Sequence, residues 1–195
     1  MTKLGVSSTQ AYLDKMTQML QRLDADAVEA FADAVFDAWC KDRAVFVFGN
    51  GGSAYNASHY VADLVKTAEV PGQRRLRAFS LSDNVGILTA LSNDVSYDNT
   101  FLYPLQTYAT EGDLAVAISC SGNSPNVVNA CQWAKDNGMD LVGLTGFAGG
   151  QVGQIADIHV NIPSENYGVM EDLHMSVGHI VAQRLQQRVK EAITV

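Results

Sequence analysis

Cysteine is scarce in this 195-residue chain. Cys40, Cys120 and Cys131 form an odd set without a CxxC pair, so a disulfide framework and a thiolate-only zinc site are excluded. Long apolar runs are missing too. Stretches such as Ala44-Val45-Phe46-Val47-Phe48 fall far short of the roughly 20 residues a bilayer crossing needs. Met1 to Gln10 lacks an apolar segment, which argues against a cleaved secretory signal. Basic residues are few: 13 against 21 acids, for a net charge of −8, where a nucleic-acid surface would call for a basic face. A cytoplasmic protein without nucleic-acid or membrane partners is expected. What is present is a 47% apolar content, enough for one core at this length and too high for disorder.

The apolar residues Tyr12, Leu13, Met16, Met19, Leu20 and Leu23 recur at threes and fours, predicting a helix from Ser7 to about Leu23. A second helix, capped by Asp24 or Asp26, runs through Val28, Phe31, Val35 and Trp39. This pair can cover a sheet or pack on another subunit. Cys40 and Cys131 fall in apolar helical patterns and read as core filler.

Past Lys41-Asp42-Arg43 the rhythm changes. Continuous apolar runs at Ala44–Phe48, Arg77–Leu81, Leu114–Ile118, Asp140–Leu144 and Asp157–Ile162 alternate with helical patterns at 53–67, 84–91, 99–108, 124–137 and 150–156. A last, long helix spans about Met170 to Ala192. Unbroken apolar strands separated by helices predict an α/β fold: one doubly wound domain over 1–195, with an N-terminal helical pair (1–41) and a five-stranded, mostly parallel sheet covered on both faces. Ligands of such folds bind beyond the carboxyl ends of the strands.

Two strand-end loops carry the anion-binding signal. Gly49-Asn50-Gly51-Gly52-Ser53 lets the main chain approach a ligand, with Ser53 as a candidate helix cap. It is neither a P-loop nor GxGxxG. Ser119-Cys120-Ser121-Gly122-Asn123-Ser124, followed by Pro125, offers three hydroxyls and helix-start N–H groups to a tetrahedral oxyanion, where a simple cap needs only one hydroxyl.

Two helices carry titratable groups. His59 and Asp63, four apart, project from one helix face and can share a metal ion, pair for proton transfer, or make a plain solvated contact. On the last helix Glu171 and His174 share a face, with His174 placed at the edge of the stripe Val181, Leu185 and Val189. His179 lies about 80° around the helix and about 12 Å along it from Glu171. One ion cannot be reached by both from a continuous helix in one subunit, so a shared site needs two chains or a later helix start.

Taken together, FGNGGSAYNASHYVADL, LSND, AISCSGNSPNVVNA, LTGFAGG and EDLHMSVGH resemble the sugar isomerase (SIS) domain family, over nearly the whole chain, and within it the phosphoheptose isomerase branch. The resemblance implies substrate contacts at Asn50, Gly51, Gly52, Ser53, Asn93 and Asp94, and a phosphate held by Ser119, Cys120, Ser121 and Ser124. It implies a metal and acid/base set at His59, Asp63, Glu171 and His179, with Zn²⁺ as the ion. The family usually has Thr at Cys120, Glu at Asp63 and Gln at Glu171, so a compensating exchange of carboxylates between the last two positions is conceivable.

The implied activity is interconversion of sedoheptulose 7-phosphate and D-glycero-D-manno-heptose 7-phosphate through an enediol. A carboxylate (Asp63 or Glu171) moves the carbon-bound proton, and His179 serves the oxygens. The implied assembly is a homotetramer with sites at subunit contacts, feeding heptose for lipopolysaccharide or a related glycan. Two alternatives stand beside it: a non-catalytic SIS module of the replication-initiator-associating type, and a phosphosugar isomerase of another chain length.

Overall fold

The computed structural model describes residues 6–194, so the first five residues of the Met1–Gln10 reading lie outside the described residues. Five strands form the sheet: β1 (Ala44–Gly49), β2 (Arg77–Ser80), β3 (Leu114–Ser119), β4 (Asp140–Gly146) and β5 (Ile158–Ile162). Their order is β2-β1-β3-β4-β5 and every pairing is parallel. The chain leaves β1 toward one edge and returns at β3, so the direction of winding reverses between these neighbours. Phe48 pairs with Ala117 and Gly49 with Ile118, which brings the loops after β1 and β3 together at the switch point.

The two-residue period of a strand sends alternate side chains to opposite layers. Val45, Val47, Val116 and Ile118 enter a core with α2 (Ala25–Cys40), α3 (Gly52–Ala62) and α8 (Tyr167–Ala192). Phe46, Phe48, Ala115 and Ala117 enter the other, against α5 (Leu102–Tyr108), α6 (Pro125–Asp136) and α7 (Gly150–Ile155). Helix α1 (Thr9–Leu20) packs Tyr12, Met16 and Met19 onto Met170 and Leu173 at the start of α8. Asp24, not Asp26, caps α2, accepting from the amides of Asp26 and Ala27.

Several expectations are revised. Helix α4 (Val85–Asp94) fully buries no residue: Leu88 packs partly buried on the second core, while Val85 stays exposed. Cys40 ends α2 exposed, whereas Cys131 is buried as expected. The helix anticipated over 99–108 breaks into a 3₁₀ turn at Tyr97–Asn99 and α5, because Pro104 has no N–H for the Thr100 carbonyl. The helix anticipated over 53–67 ends as α-helix at Ala62 and widens into a π turn, Asp63–Thr67, closed by the Ala68 amide on the Asp63 carbonyl at 2.8 Å.

Candidate active site

The switch point holds a cavity of about 170 Å³ bounded by Asn50, Ser53, Ser119, Cys120, Ser121, Ser124, Tyr167 and Glu171. Seven of these were expected from the sequence; Tyr167 was not, because it follows the edge strand β5 outside any phosphate-type loop. Gly51 (φ 55°) turns the first loop and is itself the N-cap of α3, so Ser53 sits in the first turn and caps nothing. Gly52 has a second duty. A Cβ there would lie 2.2 Å from Glu171 Oε1, so any larger residue would push this carboxyl from its place over the loop. Asn50 is locked by Asn126, which exchanges amide bonds with it at 2.8 and 2.9 Å, and by the Tyr97 hydroxyl at 2.8 Å.

The serine loop is braced by the glycine-rich turn after β4. Gly122 (φ 63°) lies against the Gly149 carbonyl, where a Cβ would be only 2.0 Å away. The Gly146 amide donates to the Cys120 carbonyl at 2.8 Å, and the Val152 amide to the Gly122 carbonyl at 2.9 Å. That bracing is what LTGFAGG contributes. Ser124 caps α6 without a side-chain hydrogen bond, and Pro125 opens the helix. Burial pushes the Cys120 thiol up to about 11, with Glu171 adding to the rise, so it stays a neutral thiol. Burial, and then the neighbouring Asp172, also raise the Glu171 carboxyl above the ordinary range. Asp172 itself accepts from the Tyr12 hydroxyl at 2.6 Å.

Asn93 and Asp94 do not join this cavity. They end α4 exposed, Asn93 donating to Asp94 at 2.7 Å.

The second cluster lies further along α3 and α8. His179 Nδ1 is 2.8 Å from Asp63 Oδ2, and His59 Nε2 is 3.5 Å from the same oxygen. The two rings meet edge-on at 5.1 Å. Thr67 donates to Asp63 Oδ1 at 2.8 Å, so both carboxylate oxygens are engaged. Asp63 is mostly enclosed while both rings remain about half exposed. Donor atoms of the three lie within 4.8 Å of one another, and two imidazoles with a carboxylate are the donor set of three-ligand zinc centres with an open position. The residues therefore fit such an ion. Glu171 is not among them, so the four-residue set implied by the resemblance is divided: α8 is continuous, and its rise of about 1.5 Å per residue puts Glu171 about 12 Å from His179.

His174, expected at the edge of the apolar stripe, is fully buried. Its Nε2 donates to the Thr145 carbonyl at 3.0 Å, and burial lowers it to about 4, so it is a neutral structural group.

This fold and these loops define a sugar isomerase domain. Residues 11–146 match the SIS domain model, and the chain belongs to that family. Within it, the chain is 34% identical to a probable phosphoheptose isomerase of Thermoplasma acidophilum, over 91% of this chain and 97% of that one. It is also 34% identical to the phosphoheptose isomerase of Geobacter sulfurreducens, over 89% and 92% of the two chains. The structure of phosphoheptose isomerase GmhA from Neisseria gonorrhoeae superposes with a TM-score of 0.85 at 26% identity, covering 91% of this chain and 96% of that one.

Proposed function

We propose that the protein is a phosphoheptose isomerase, interconverting sedoheptulose 7-phosphate and D-glycero-D-manno-heptose 7-phosphate by acid/base catalysis through an enediol. The observation that carries this reading is the pairing of His179 with Asp63 in a chain that also builds a strand-end anion cradle. A binding module needs only the cradle. The serine loop takes the phosphate through Ser119, Ser121 and Ser124 and the start of α6. Asp63 receives the Nδ1 proton of His179 and leaves Nε2 to carry protons between the substrate oxygens. Because His179 and Thr67 engage both oxygens of Asp63, the carboxylate left for the carbon-bound proton is Glu171, which lines the cavity. Were Zn²⁺ held by His59, Asp63 and His179, it would occupy a ring nitrogen of His179 and supply Lewis-acid polarisation of a substrate oxygen in place of that proton relay.

One chain does not complete this site. The cradle and the Asp63–His179 pair sit at different levels of the same two helices, and about 170 Å³ is below the size of a whole-ligand pocket, about 300 Å³ or more. The reading therefore joins the cradle of one copy to the pair of another, within a homotetramer, each copy forming one SIS unit. Helix α4 and the turn after it support such contacts: Val85 is 67% exposed, Val95 48% and Tyr97 55% among the described residues. The described residues contain no helix long and apolar enough to cross a membrane. The same reading places the reaction in the cytoplasm, as a step of heptose supply for lipopolysaccharide or a related glycan.

A coupled assay of the purified protein with sedoheptulose 7-phosphate, with and without EDTA, tests the reaction. Turnover supports it, and no turnover on any five- to seven-carbon ketose phosphate defeats it. Mixing His179→Asn with Ser124→Asp after subunit exchange tests the shared site: two inactive variants should regain activity together, and a monomer by mass would overturn it.

A further inference from the structure

Residues 56, 60, 63 and 67 of α3 and the π turn after it meet α8 through hydrogen bonds, beside the apolar contacts that Ala57 and Leu64 make. Asn56 Nδ2 donates to the Glu171 carbonyl at 2.9 Å, the Tyr60 hydroxyl donates to the His174 carbonyl, Asp63 takes His179, and Gln186 Nε2 donates to the Thr67 carbonyl at 2.9 Å. The spacing of four, three and four residues is that of a helix–helix seam, normally filled by apolar side chains. Tyr60 is the buried rung, with 2% of its surface exposed. His174 and Gly178 are an i, i+4 pair of α8, so the hydroxyl sits on a main-chain bond of the helix immediately before His179. The ring above it lies on Gly178, where a Cβ would come within 2.0 Å of Tyr60 Cε1. Tyr60 is next to His59 in sequence and one turn before Asp63.

We propose that Tyr60, seated on Gly178, is a positioning residue that sets the separation and rotation of α3 and α8 and so holds His179 on Asp63 and His59. An apolar contact fixes a distance between two helices. A hydroxyl donating to a named carbonyl fixes rotation and register as well, and the 2.8 Å contact of Asp63 with His179 needs all three. The consequence for turnover rests on the reaction proposed above; the geometric claim does not.

The test is Tyr60→Phe, which keeps the ring on Gly178 and removes only the hydroxyl, with Gly178→Ala as the second variant. In metal-free protein at one fixed pH, the ring ¹H–¹³C signals of His59 and His179 should shift in both variants, while that of His159 on the edge strand stays in place. With sedoheptulose 7-phosphate, Tyr60→Phe should lower kcat about tenfold, the scale of outer-shell partners, and leave KM within about twofold. Unmoved His59 and His179 signals with unchanged kcat, whatever the loss in melting temperature, overturn the proposal. Should the parent protein turn over no sugar phosphate, the reaction falls and the ring signals alone decide on Tyr60.

Discussion

The anion cradle and the histidine–aspartate cluster are built in opposite ways. The cradle comes from contiguous residues at the ends of two adjacent strands, with its shape fixed by main chain: Gly51 and Gly122 at positive φ and Gly149 packed on Gly122, around a cavity lined mainly by serine hydroxyls. The cluster comes from side chains 116 residues apart in sequence, with its shape fixed by the packing of α3 on α8. Main-chain sites tolerate change in their side chains, as the neutral thiol of Cys120 amid three serines illustrates. A site made by helix packing depends on every rung that sets the helices.

That contrast breaks most sharply in kinetics. His179→Asn should lower kcat by about 10²–10⁴-fold with KM nearly unchanged, measured in the coupled assay. If KM rises instead, the cluster belongs to binding and the division fails. The next effect concerns stability of the helix-built half. His174 is held near 4 in the fold against about 6.5 in the unfolded chain, so between these values the unfolded state binds a proton that the native state does not. Stability is complete above about pH 6.5 and falls as pH drops toward 4, by up to about 3 kcal/mol. Urea melts at pH 7 and pH 4.5 should show the loss, and His174→Gln should remove most of it. On the cradle side, Ser124→Ala should raise KM about tenfold at constant kcat, the loss of one hydrogen bond to an anion. The smallest effect is a displaced profile. With Glu171 as the base, the acid limb of kcat/KM lies above the usual glutamate value of about 4.3, because burial and Asp172 disfavour its charge. Glu171→Gln should itself lower kcat on the scale of His179→Asn, while a variant that keeps both its rate and this limb would return the role to Asp63.

The cradle was legible because each residue's duty is local. A continuous apolar strand, a glycine-rich turn and a helix start can be read in order, and the alternation of strands and helices gave the α/β fold with its parallel sheet. The pairing of His59 with Asp63 was legible for the same reason, being one helical turn. What lay beyond reading was tertiary. Tyr167 reaches the cavity from a helix start whose placement no local pattern fixes, and Asn126 bonds Asn50 across 76 residues of sequence. His174 looked like the edge of a stripe, because its partner is the Thr145 carbonyl on β4. Asn93 and Asp94 carried a role by resemblance only, and α4 leaves both outside the cavity. Helix α4 has the apolar content of a covering helix, but content does not say which surface is covered.

The continuity of α8 has an outcome at the level of inheritance. One rod carries Glu171 near one end and His179 two turns further on, and under the shared-site reading proposed above these residues would serve different centres. A lesion that tilts the rod, unlike one that clips a single side chain, spoils two centres at once. Mixed assemblies should then lose more than the share of faulty subunits they contain, and such an allele would act dominantly over a normal one.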